Sequence, residues 1–158
     1  MAAVVGTTKT ILIVNGTNLA MLGRREPEIY GRETYDDLQN FCRAEAQKRG
    51  YLAEIFQSNS EGEIVTRLNR AMSGKYCGLI INPAAYTHYS YAIYDALLML
   101  SAPKVEVHLS NIYNRESFRS QSVTAGACDR QIFGRGFFGY ADAMDVITMI
   151  LDERAKGQ

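Results

Sequence analysis

Two histidines, His88 and His108, are the whole imidazole complement of this 158-residue chain. Glu106 stands two residues before His108 in the run VEVH, so on an extended strand the carboxylate and the imidazole point to the same face. A carboxylate beside an imidazole fixes its tautomer and favours its protonated form, which makes a better proton donor. Other groups able to bind or move protons are Asn15, Asn18, Arg24, Arg25, Tyr30, Asn82, Arg115 and Arg119. Imidazole, guanidinium, carboxamide and phenol together suit proton transfer on a small, polyhydroxylated, anionic substrate. Each group also has a plainer reading. His88 or Ser90 would cap a helix, Asn82 would turn the chain before Pro83, and Arg115 with Arg119 would form a solvated face at i, i+4. Whether they make one site depends on the elements that carry them.

Four apolar, β-branched runs predict strands: TILIVN (10–15), YLAEIFQ (51–57), YCGLIIN (76–82) and KVEVHLS (104–110). A looser polar stretch then leads to SVTAG (122–126) and RQIF (130–133). Helical patterns lie between the strands, over 34–50, 60–72, roughly 88–101 and 137–155. Thr34 is the expected N-cap of the first, and Ser60 with Glu63 has capping-box spacing in the second. Strands apolar throughout, alternating with helices, predict an α/β fold with a parallel sheet covered on both faces. The expected form is a flavodoxin-like, doubly wound sheet of five strands. Such sheets bind ligands beyond the carboxyl ends of their strands, where strand order reverses. The polar residues gather there: NGTNLAMLGRREPEIYG follows the first strand, QSNSEGE the second, NPAAYTHYS the third and HLSNIYNRESFRS the fourth. The amino ends offer only Lys-Arg-Gly, Ser-Gly-Lys and Ser-Ala-Pro-Lys. Only LGRREPEIYG (22–31) belongs to no obvious strand or helix.

Composition removes several classes. Lysine plus arginine equals aspartate plus glutamate, 17 each, so no overall basic surface invites nucleic acid or an acidic membrane. No apolar run reaches the length of a membrane span, and the amino terminus lacks the pattern of a signal peptide. Cys42, Cys77 and Cys128 are scattered and odd in number, as expected of reduced thiols in a cytoplasmic protein. One domain over 1–158, with a flexible start over 1–9, is expected. No phosphate-binding GxxxxGK[ST] occurs, and GRGFFG (134–139) lies too near the carboxyl terminus to open a βαβ dinucleotide site. Two histidines and separated cysteines make no metal ligand set. Asn15 and Asn18 occupy the place where a phospho-receiver needs acidic residues. Lys75 and Lys104 lie at the amino ends of strands, which excludes an imine-forming lysine from the site.

At these residues the sequence closely resembles the type II 3-dehydroquinate dehydratases. The segments that carry the likeness are ILIVNGTNLAMLGRREPEIYG, QSNSEGEI, INPAAYTHYSYAIYDAL, VEVHLSNIYNRESFR and, more loosely, GFFGYADAM. They run in order from about residue 11 to 145. The resemblance implies reversible anti elimination of water from 3-dehydroquinate to 3-dehydroshikimate, in the shikimate pathway, with no cofactor. It implies a homo-oligomer as well, a dodecamer built as four trimers. Tyr30 then corresponds to the general base, Arg25 to its activator, and Asn18 to the residue holding a water at the enolate oxygen. His108 corresponds to the general acid, oriented by Glu106. Asn82 with the backbone N–H groups of Leu109 and Ser110 corresponds to the grip on the substrate carboxylate. His88 and Arg119 match residues that bind ring hydroxyls. Asp95 matches an acid that enters a neighbouring subunit's site, and Arg115 has only a supporting place.

The chain departs from the family pattern at a few positions. Thr17 replaces a common proline, Ala84 and Ala85 stand where glycines are frequent, and Tyr94 replaces an arginine near the expected trimer contact. Segment 125–137 matches only weakly. Two other readings stay open on the residues alone: a catalytically silent flavodoxin-like binding module, and an enzyme for a different β-hydroxy ketone.

Overall fold

The computed structural model describes residues 8–24 and 26–158, without the side chains of Ile29 and Tyr30. Five strands form one sheet: β1 (Lys9–Asn15), β2 (Tyr51–Gln57), β3 (Gly78–Asn82), β4 (Lys104–His108) and β5 (Arg130–Phe133). Their order is β2-β1-β3-β4-β5 and every neighbouring pair is parallel, which is the flavodoxin-like arrangement. The helices are α1 (Pro27–Tyr30), α2 (Tyr35–Lys48), α3 (Glu61–Ala71), α4 (Tyr91–Leu98) and α5 (Phe138–Lys156).

The sheet separates two apolar cores, as strands without polar alternation require. Ile11, Ile13, Ile80, Val105 and Val107 pack with α2 and α5 through Leu38, Cys42, Met144 and Ile147. Leu12, Val14, Leu79 and Ile81 face α3 and α4 through Ile64, Leu68, Ile93 and Leu97. Strand period therefore sends Val105 and Val107 one way and Glu106 and His108 the other. All three cysteines are free thiols, and burial pushes that of Cys42 up to about 12. No helix among the described residues is long and apolar enough to cross a membrane.

Several expected boundaries shift for local reasons. Thr34 does cap α2, accepting from the Asp37 N–H at 3.1 Å while the Asp37 carboxylate accepts from the Thr34 N–H at 2.8 Å. Ser60 caps α3, accepting from the Glu63 N–H at 3.2 Å. The reciprocal half of that box is absent, because the Glu63 carboxylate takes the Ser58 hydroxyl and Ser58 Oγ takes the Ser60 N–H. The helix expected over 88–101 divides into a 3-10 turn, Ala84–His88, and α4. Ser90 separates them, its hydroxyl accepting from the Ile93 N–H, so Ser90 and not His88 is the cap. β4 stops at His108, the last residue with a partner on β5, Phe133. LGRREPEIYG contains the short α1, which Pro27 starts with its fixed φ and which closes through the Gly31 N–H on the Pro27 carbonyl at 2.7 Å.

β1 and β3 stay close as they leave the sheet. The Gly16 N–H donates to the Asn82 carbonyl at 2.7 Å. A Cβ at position 16 would collide with the Pro83 carbonyl oxygen, a backbone atom with no rotamer through which to yield. Gly62, inside α3, has only Ser60 Oγ nearby, at 3.8 Å. Gly16→Ala is therefore expected to destabilise the protein by about 1–3 kcal/mol, whereas Gly62→Ala stabilises it by roughly 0.4–1 kcal/mol. Thermal melts at one fixed protein concentration check both; a Gly16→Ala melt equal to wild type contradicts the close approach.

Candidate active site

Strand order reverses between β1 and β3, and a cleft opens beyond their carboxyl ends. Asn15 and Asn82, the last residues of these strands, are register partners facing α2 and α5. The Tyr140 hydroxyl donates to Asn15 Oδ1 at 2.7 Å and accepts from Asn82 Nδ2 at 3.2 Å. Burial first of all drives this phenol's pKa far above its ordinary value, so it remains a neutral group that both gives and takes a hydrogen bond. Asn82 Oδ1 also accepts from the Ala84 N–H at 3.1 Å. These bonds fix the amide of Asn82, which lines the cleft.

A second hub holds three loops together. Asn59 Oδ1 accepts from the Asn18 N–H at 2.9 Å and from Gln57 Nε2 at 3.1 Å, and Gln57 Nε2 also reaches the Gly16 carbonyl at 3.1 Å. The Tyr86 hydroxyl donates to the Asn59 carbonyl at 2.6 Å. Asn18 sits on the cleft wall in the left-handed region, φ 67°, which asparagine tolerates better than most residues. Asn59 is a residue that sequence reasoning passes over. Its place after β2, in the segment QSNSEGEI, is the only signal it carries.

The centre of the site is the pair expected on β4. Glu106 is fully buried, and its Oε2 accepts from His108 Nε2 at 2.9 Å. The same oxygen accepts from Ser122 Oγ at 2.8 Å and Gln131 Nε2 at 2.9 Å. Oε1 accepts from the Thr124 hydroxyl and lies 3.2 Å from that of Thr87. Burial pushes the Glu106 carboxyl up. The hydrogen bond and charge of His108, with the Thr124 and Ser122 hydroxyls, outweigh it and hold the group below the ordinary carboxylate range. Because Glu106 takes Nε2, the other ring nitrogen of His108 is the one left for the cleft, which His108 lines. Ser122, Thr124 and Gln131 carry no sequence signal of their own, and Thr87 only its place in INPAAYTHYSYAIYDAL; fold contact joins them to residue 106.

The remaining candidates fall as follows. His88, Leu109, Ser110, Arg115 and Arg119 line the same cleft. His88 Nδ1 is 2.7 Å from the Gln121 carbonyl. Burial chiefly, then the neighbouring Arg119 and His108, holds the His88 pKa below its ordinary value against that carbonyl. The Leu109 carbonyl accepts from the Gly136 N–H at 3.0 Å and that of Ser110 from Gly134 at 3.1 Å, which fixes the backbone after β4. Arg119 Nε donates to Glu116 at 2.7 Å. Arg115 stands 3.9 Å from Glu26, joining the loop before α1 to the cleft wall. Asp95 is exposed on α4 and lies outside the cleft lining. Arg25 lies outside the described residues, as do the side chain of Tyr30 and residues 1–7 of the expected flexible start; Lys9, its last residue, already belongs to β1. Ala84, one of the two alanines at glycine-frequent positions, has φ 55°, a left-handed backbone that glycine adopts without strain.

Comparison with known proteins follows the same chemistry. The family profile described as "Dehydroquinase class II" matches residues 9–148. The 3-dehydroquinate dehydratase of Thermotoga neapolitana is 51% identical over 146 residues, covering 92% of this chain and 99% of that protein. That of Clostridium acetobutylicum is 50% identical over 143 residues, covering 90% and 99%. The crystal structure of a type II dehydroquinase from Butyrivibrio crossotus superposes with a TM-score of 0.88 at 45% identity, over 90% of this chain and 99% of that one.

The carboxylate of Glu106 only accepts, whereas a glutamine would turn N–H groups against donors already in place. Glu106→Gln is expected to cost about 3–5 kcal/mol of stability at neutral pH. The sign with pH follows from the lowered carboxyl pKa. Its contribution is fully present above the unfolded value of about 4.3 and is lost as pH falls through the folded value. The stability gap between wild type and variant should therefore close on acidification. Denaturation midpoints measured from neutral to acid pH check this, and a gap that stays constant refutes it.

Proposed function

The chain belongs to the class II dehydroquinase family, and from that membership we propose that it is a hydro-lyase eliminating water from 3-dehydroquinate to give 3-dehydroshikimate, reversibly and with anti geometry. The observation that carries the reading is the buried Glu106–His108 pair at the floor of a cleft lined with amide and guanidinium donors. A β-hydroxy ketone loses water in two proton movements: one leaves the carbon α to the ketone, and one reaches the departing hydroxyl. The Tyr30 phenolate removes the first, giving an enolate. His108 delivers the second as an imidazolium held against Glu106, and the hydroxyl departs as water.

Tyrosine at its ordinary pKa of about 10 is under one per cent ionised at neutral pH, so the base needs help. Arg25, on the same loop, supplies it: each unit of lowering takes about 1.4 kcal/mol of preferential stabilisation of the phenolate. A guanidinium in a poorly solvated site reaches such energies. Asn18 holds a water against the enolate oxygen. Asn82 and the N–H groups of Leu109 and Ser110 bind the substrate carboxylate, while His88 and Arg119 bind ring hydroxyls. No step calls for a cofactor. Arg115, 3.9 Å from Glu26, has a supporting place beside the segment that leads into α1. Asp95, exposed on α4 beside Tyr91, Leu98 and Met99, serves a neighbouring subunit's site. The assembly is a dodecamer of four trimers.

The test is direct: purified protein with 3-dehydroquinate should generate the absorbance of the product's conjugated enone, and a flat trace would return the chain to the silent binding module. Tyr30→Phe should lower turnover by at least about a hundredfold with much less effect on substrate affinity. His108→Ala should stop dehydration yet leave exchange of the α-proton with solvent deuterium, because the first step does not need the acid. Wild-type turnover in Tyr30→Phe would remove the phenol from its role as base. The shared site predicts complementation: Asp95→Ala and Tyr30→Phe, each impaired, should regain activity once their subunits exchange. Activity that stays strictly additive after verified exchange speaks against Asp95 acting across subunits.

A further inference from the structure

We propose that Gln131 is a positioning residue for this reaction: its amide, aimed by Tyr113, keeps the charge on Glu106 and the proton on His108. The inference rests on the reading of His108 as the general acid. Glu106 and Gln131 are register partners on adjacent parallel strands, so their side chains leave the same face of the sheet. Gln131 Nε2 donates at 2.9 Å to Oε2 of Glu106, the oxygen that also receives His108 Nε2. An ionised carboxylate only accepts, so the amide has one workable orientation, with its N–H toward Glu106. Gln131 Oε1 then faces outward and accepts the Tyr113 hydroxyl at 2.8 Å. Tyr113 is held in turn by an edge-to-face contact with Phe133, ring centroids 5.0 Å apart. Every donor in this series points toward the same charge, and such series reinforce one another.

The consequence concerns a single proton shared between two groups. Glu106 and His108 lie 2.9 Å apart, and their proton rests on whichever conjugate base is less well served by other donors. Gln131 lends a donor to the carboxylate and none to the imidazole, so it biases that proton toward Nε2 of His108; the ring is then kept as an imidazolium whose cleft-facing nitrogen carries the proton given to the leaving hydroxyl. The other titratable and charged groups around the carboxylate are His88 in the turn after β3, Arg119 beyond it, Cys128 before β5 and Tyr113 after β4. Burial raises the Cys128 thiol, so it stays neutral. His88, held below its ordinary value, adds no proton of its own at neutral pH. Gln131 is the neutral donor that a near-isosteric substitution converts into a second acid.

Gln131→Glu makes that conversion. While protonated, the introduced carboxyl carries an O–H in place of the amide N–H and donates as glutamine does. Once ionised, it sets a second negative charge against Glu106. Two adjacent carboxyls do not both ionise at their ordinary pKa, so one value is strongly raised. The donors remaining on Glu106 place that proton on the introduced carboxyl. The ratio of variant to wild-type kcat should therefore lie within about threefold of unity on the acid side and fall at least about tenfold as pH rises through the raised value, with KM changing less than about threefold. Gln131→Leu, which cannot donate at any pH, should lose roughly tenfold in kcat without acid recovery. Melting curves confirm that both variants fold. A Gln131→Glu ratio flat with pH, or full kcat in Gln131→Leu, overturns the inference. His108→Ala, run alongside, separates the two ideas: turnover retained there removes the acid itself, whereas turnover lost there with a flat Gln131→Glu ratio removes only the role of Gln131.

Discussion

One buried negative charge organises this molecule. A carboxylate taken out of water without partners would be unfavourable by far more than a fold of this size can absorb, so it ionises only where donors surround it. Glu106 meets that demand from four separate segments: Thr87 after β3, Ser122 and Thr124 in the connection after β4, Gln131 on β5, and His108 on its own strand. The connection between β4 and β5 is anchored at its ends by buried Leu109, Ile112 and Ala127. Between them it is held by hydroxyls that face the carboxylate and brace one another, with Thr87 Oγ1 2.7 Å from both Ser122 Oγ and Thr124 Oγ1.

The two faces of the sheet then divide the labour. On the side of α2 and α5, neutral groups are locked together: Asn15, Asn82, Tyr140 and, more distantly, Tyr35. On the side of α3 and α4, the Glu106–His108 pair descends from β4. The sheet's carboxyl edge is where both reach the cleft, so amide dipoles and an imidazole meet there without a shared core. This is the structural content of the rule that ligands bind at a switch point: the reversal of strand order parts the loops and leaves both sets exposed to one space.

What the sequence makes legible follows the range of the interactions. Strands, most helices, the parallel sheet and the Glu106–His108 pairing rest on periods of two and of about three and a half residues, which any reader of the chain can count. Thr34 and Ser60 as caps are local in the same way. The donors to Glu106 other than His108 come from 16 to 25 residues away, and Asn59 reaches Asn18 across 41. No local pattern marks those residues, because their partners are chosen by folding. The short α1 escapes a sequence reading because four residues are too few to show a helical period, although Pro27 marks its start. Arg25 and Tyr30 are assigned through family resemblance alone; their spacing in LGRREPEIYG specifies no chemistry.

Ala84 bears on how this chain can change. An L-residue in the left-handed region is disfavoured by roughly 1–2 kcal/mol, while the greater freedom of an unfolded glycine offsets roughly 0.5–1 kcal/mol of any relief. The turn after β3 therefore holds a small unused margin, released by a single exchange of Ala84 for glycine. Typical substitutions destabilise by about 1 kcal/mol, so a lineage or an engineer making that exchange gains room for roughly one further change at the cleft. Residue 84 lines the cleft itself and borders the amide of Asn82, so the same methyl that strains the backbone also shapes the space available to a ligand. Robustness and pocket shape are coupled at this position, and neither can be altered there without the other.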